Sequence, residues 1–93
     1  MKTLLTILIA LTIGANAGYN KIRCNGAIDS ITLNSDLGKD NLLLGDKYMA
    51  KVHMGLVLKS ITKFKAYCGN TPKVKKLYTE QRAEVLRVLK ELN

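Results

Sequence analysis

The sequence predicts a small all-α domain of about three helices closed by one disulfide. Three observations lead there. Two long stretches repeat their apolar residues every three or four positions, the period of one helix face. The cysteines number two, Cys24 and Cys68. Of the 93 residues 47% are hydrophobic, a composition that can bury a core. The length fits one such domain. It excludes a multidomain enzyme, a TIM barrel and a full Rossmann fold.

Met1–Ala17 reads as a secretory signal peptide. Lys2 supplies the positive start, Leu4–Ile13 carries no charge, and Ala15-Asn16-Ala17 is a small-x-small cleavage site. That run is well short of the ~20 apolar residues that span a bilayer. The residue after the cut is Gly18, not the cysteine of a lipoprotein. Gly18–Asn93 is then a single helical domain with no membrane-spanning segment, in the periplasm or outside the cell. Loss of Lys2 takes the net charge from +8 to +7.

Two cysteines in an exported small chain read as a disulfide, and only one intramolecular pairing exists. Closing the loop from Cys24 to Cys68 is worth roughly 3–4.5 kcal/mol in the chain-entropy picture. A core this small is marginal, so the bridge weighs heavily.

The first helix is expected from Asn20 to about Ser30, with Cys24, Ala27, Ile28 and Ile31 on one side. Gly26 interrupts it, and Ile31-Thr32-Leu33 could instead form a short strand. Asn34–Asn41 (NSDLGKDN) reads as a loop by composition. The second helix is expected from about Asp40 to Cys68. Met49, Val52, Leu56, Val57, Ile61, Phe64 and Cys68 share one broad face, with Gly45 and Gly55 as points where it could break. Gly69-Asn70 ends it. Thr71 is suited to cap the third helix and Pro72 to its first position. Val74, Tyr78, Val85, Val88 and Leu92 form its stripe, widened by Leu77 and Leu89. It should run nearly to the C-terminus and turn back over both others.

No catalytic set emerges, so the chain reads as a binding protein and not an enzyme. The one histidine, His53, has no nucleophile or carboxylate partner in a recognisable pattern. A metal is not expected. Zinc needs about four ligands, and Asp36, Asp40 and Asp46 lack the spacing of a calcium loop. No cofactor is implied. Lys59, Lys63 and Lys65 precede Cys68, and Lys73, Lys75 and Lys76 follow Pro72. Folding should gather these six around the second cysteine as a basic patch, suited to phosphates, anionic lipids or an acidic protein surface. Export, few aromatics and the absence of a known motif argue against nucleic acid. An acidic protein partner is the functional reading of that patch; a solvated face is the plain one.

Gly18-Tyr19-Asn20-Lys21-Ile22-Arg23-Cys24, directly after the cleavage site, resembles the mature start of the spackle family of T-even bacteriophages. So does the Tyr67-Cys68 pair. This chain is basic where the family is acidic, and its cysteines are closer together. The resemblance implies a helical periplasmic protein with one disulfide that inhibits a lysozyme-like, cell-wall-degrading enzyme. Such a protein protects the infected or producing cell, by superinfection exclusion or as an immunity protein. Small periplasmic acid-stress chaperones share the overall plan, as do exported helical immunity proteins of type VI secretion. The chaperone alternative has only seven carboxylates and one histidine to drive an acid switch. A secreted basic antimicrobial protein is the other alternative.

Overall fold

A computed structural model describes residues 19–93. Within them the chain forms three α-helices, α1 (Lys21–Leu43), α2 (Lys47–Tyr67) and α3 (Pro72–Leu92). The all-α expectation is borne out, and the Cys24 and Cys68 sulfurs are bonded at 1.98 Å. The expected signal peptide, Met1–Ala17, lies outside the described residues.

The caps follow from ordinary side-chain chemistry. The Asn20 side-chain oxygen Oδ1 accepts the Arg23 N–H at 3.1 Å, starting α1. Asp46 accepts the Met49 N–H at 3.0 Å, starting α2. Thr71 Oγ1 accepts the Val74 N–H at 3.2 Å, and Pro72 follows it as expected. Each satisfies a donor that the first helical turn leaves without an internal partner. Gly45 and Gly69 take φ of 77° and 95° in the two interhelical turns, a region that side-chain-bearing residues rarely enter.

The first helix is far longer than expected. Ile31–Leu33 is helical, and Asn34–Asn41 is not a loop but the second half of α1. Polar composition suggested the loop, whereas packing decides otherwise. The buried stripe continues from Cys24, Ala27, Ile28 and Ile31 into Ser35 and Gly38. Two polar side chains also turn back onto the helix. Thr32 Oγ1 donates to the Ile28 carbonyl at 3.0 Å, and Asn34 Nδ2 to the Ser30 carbonyl at 2.9 Å. Gly38 allows the close approach of α2. A Cβ there would collide with the Met54 methyl, itself fully buried.

The second helix begins at Lys47, not near Asp40, because Gly45 lies in the turn and Asp46 is the cap. Gly55 does not break it. Its buried face is also rotated from the expected one. Ala50, Met54, Val57, Ile61 and Phe64 are buried, whereas Val52 and Leu56 are exposed. Met49, Ala50, Val52, Met54, Leu56, Val57 and Leu58 surround most of the helix, so periodicity alone allowed two stripes. Contact with α1 and α3 selects one.

Pairings between Cys24 and Cys68, Ser30 and Ser60, and Asn41 and His53 show α1 and α2 antiparallel along their length. The third helix folds back on α2 alone. No Cα of α3 comes within 8 Å of α1, which corrects the expectation that it would cover both. Val74, Val85 and Val88 are nonetheless fully buried. The molecule is elongated, 42 × 20 × 19 Å.

Gly55 offers a stability test. A Cβ there meets nothing within 4 Å, and alanine in a helix interior is favoured over glycine by ~0.5–1 kcal/mol. Gly55→Ala should therefore raise the melting temperature by about 2–8 °C. A lower melting temperature by circular dichroism would contradict this packing.

Candidate cationic interface and the α1–α2 groove

The sequence placed its functional weight on six lysines. All six are exposed. Lys59 and Lys63 are one turn apart on α2. Lys63 faces α1, lining a groove between the two helices. Lys65 lies toward α3, with its ammonium 4.6 Å from the centre of the Tyr78 ring. Lys73, Lys75 and Lys76 ring the start of α3, just beyond the disulfide.

The lysines share one property. Among the described residues the ion pairs all belong to Arg87, which bonds Glu84 and, at 2.7 Å, Glu91. The Glu84 hydrogen bond, aided by the charge of both carboxylates, holds the Arg87 guanidinium more firmly protonated than usual. None of the six lysines has a carboxylate partner among the described residues. Their charge is therefore available to an acidic surface.

Arg23 is a cation of the candidate site that the basic-patch reading missed. Its Nη1 donates to the Tyr67 hydroxyl at 2.9 Å, and its guanidinium lies 5.1 Å from the centre of that ring. The bridge causes this meeting. Arg23 precedes Cys24 and Tyr67 precedes Cys68, so joining the cysteines joins their neighbours. The Asn20 N–H also donates to the Tyr67 carbonyl at 2.7 Å, and Tyr19 forms an isolated antiparallel bridge with Cys68. The signal was present in the sequence, as two polar or aromatic residues each preceding one of a paired set of cysteines.

Arg23 and Tyr67 form one end of the groove, whose volume is about 330 Å³. Gly26 and Ala27 line it from α1. Ser30 and Ser60 line it from opposite helices, their hydroxyls 2.7 Å apart. Asn34 Nδ2 also reaches Ser30 Oγ at 3.2 Å. Among the described residues no carboxylate lines the groove.

His53 is structural. Its Nδ1 lies 2.7 Å from Asn41 Oδ1 and 3.0 Å from the Met49 carbonyl oxygen. A carbonyl only accepts, so Nδ1 carries a proton and ties α2 to the end of α1. No group of three or more potential metal ligands occurs among the described residues. No helix among them is long and apolar enough to cross a membrane.

A different surface lies at the far end of the molecule from the disulfide. Leu43, Leu44 and Tyr48 are 80%, 82% and 74% exposed around the α1–α2 turn. Periodicity did not single them out, because the loop was expected elsewhere. No family model matches the chain, nor does any curated protein or solved structure.

Proposed function

We propose that this chain is an exported protein-binding inhibitor, aimed at a lysozyme-like, cell-wall-degrading enzyme and protecting the cell that makes it. One observation supports the binding role above others. Six exposed lysines and Arg23 carry no carboxylate partner among the described residues, and the scaffold presenting them is stapled by a disulfide. A stiff binder loses less freedom on association than a flexible one. Unpaired surface charge mainly accelerates encounter with an oppositely charged partner. The enzyme class rests on the spackle-like opening, Gly18 to Cys24, and on Tyr67-Cys68.

The test has two arms. Protein recovered from the cell envelope should begin at Gly18 on N-terminal sequencing; a product starting at Met1 and held in the membrane overturns the export claim. Capture from phage-infected or competitor-challenged envelopes should then recover a muramidase. Charge reversal at Lys59, Lys63, Lys65, Lys73, Lys75 and Lys76 should slow its association by about tenfold or more at low salt. The difference should shrink as salt shortens the ~8 Å physiological screening length. An unchanged association rate would remove the charged face from the mechanism.

The exposed Leu43, Leu44 and Tyr48 favour a second reading, a secreted basic protein that acts on membranes. Exposed lysines Lys39 and Lys47 flank these side chains. That reading predicts dye leakage from anionic vesicles, abolished by Leu43→Ser with Leu44→Ser. Intact vesicles would exclude it.

A further inference from the structure

We infer that the α1–α2 groove seats a carboxylate, delivered by an acidic side chain of the protein partner. This deepens the inhibitor reading and rests on it for the source of the carboxylate. Lys63 brings an ammonium with no partner among the described residues. Arg23 commits one N–H to the Tyr67 hydroxyl and keeps the rest of its fork. The Tyr67 hydroxyl accepts that bond, and its own proton has no acceptor among the described residues. The Ser30 and Ser60 oxygens share one proton between them. Asn34 Nδ2 also donates to Ser30 Oγ, and the second hydroxyl proton of the pair has no acceptor among the described residues.

Every polar side chain lining the groove therefore offers a proton, and two of them carry full positive charge. The acceptors among these side chains are hydroxyl oxygens, already engaged by Arg23, by Asn34 and by each other. An oxyanion completes this set, whereas a cation or a neutral donor does not. The shape agrees with a small occupant. At about 330 Å³ the space is at the low end of ligand pockets. Gly26 and Ala27 narrow neither wall, and a Cβ at Gly26 would meet nothing within 4 Å. A carboxylate on a short aliphatic stem fits, with its methylenes against Ala27 and its oxygens toward Arg23 and Lys63.

The experiment is an NMR titration of the disulfide-bonded protein with three probes: doubly capped glutamate, doubly capped glutamine and inorganic phosphate. Capped glutamate should shift the amides of Arg23, Gly26, Ala27 and Lys63 saturably, with millimolar affinity. Capped glutamine should leave them in place. Arg23→Gln or Lys63→Gln should weaken binding by about fivefold, as for an exposed ion pair, and Lys63→Gln, which breaks no contact within the fold, should leave the melting temperature unchanged. Gly26→Leu should block the groove without altering any charge, and abolish the shifts.

No saturable shift with about 50 mM capped glutamate, or equal shifts with capped glutamine, overturns the seat. Phosphate binding more tightly than capped glutamate overturns the carboxylate assignment and gives the groove to a phosphoryl group. Localised glutamate binding supports the seat even where no muramidase is inhibited, an outcome that would sink only the inhibitor reading. Conversely, inhibition undiminished by Gly26→Leu sinks the seat and leaves the inhibitor standing.

Discussion

Cys24→Ser lowers the melting temperature by more than about 10 °C, with the partner Cys68 also replaced by serine to prevent mispairing. The bridge joins positions 44 apart, and closing such a loop in the unfolded chain is worth roughly 3–4.5 kcal/mol. A domain of this size shifts by about 4–8 °C per kcal/mol. The bridge also joins the start of α1 to the end of α2, where the Asn20–Tyr67 backbone bond and the Arg23–Tyr67 contact depend on the same alignment. Thermal unfolding followed by circular dichroism reads the effect. A melting temperature within a few degrees of wild type would show that helix packing alone sets the stability.

Phe64→Ala should cost about 3–5 kcal/mol. Phe64 is the largest of the fully buried side chains, 2% exposed, and lies on α2, the helix that contacts both others. Its removal opens a cavity at the meeting point of the fold, one turn before the disulfide. Small domains are stable by only about 5–15 kcal/mol in all, so this variant should lose a large part of its folded margin. Urea unfolding should show a lower midpoint with an unchanged slope. Leu86→Ala, at a site 39% exposed, should cost far less. Equal costs at the two positions would contradict the assigned core.

The third helix was legible almost to the residue. Thr71 and Pro72 marked its start, and Val74, Val85, Val88 and Leu92 are buried as their spacing required. The disulfide was legible because two cysteines permit one intramolecular pairing. The second half of α1 was not, because its stripe continues in small residues. Ser35 and Gly38 are buried for closeness to α2 and not for hydrophobicity, and a pattern of apolar letters does not register closeness. The rotation of α2 was hidden for the opposite reason, since apolar residues occupy too many of its sides. At the candidate interface, Lys63 was found by charge, while Arg23 needed the consequence of the bridge to be followed one residue outward. The exposed cluster at Leu43, Leu44 and Tyr48 was invisible until the turn was placed at Leu44-Gly45.

The most direct test of the account is the activity of cell-wall-degrading enzymes in the presence of the purified, disulfide-bonded protein. A panel of phage-borne and secreted muramidases would be titrated on isolated cell wall, at low and physiological salt. At least one enzyme should lose activity in proportion to added protein and be silenced near one-to-one stoichiometry. Full activity across the panel in the presence of excess protein would contradict it.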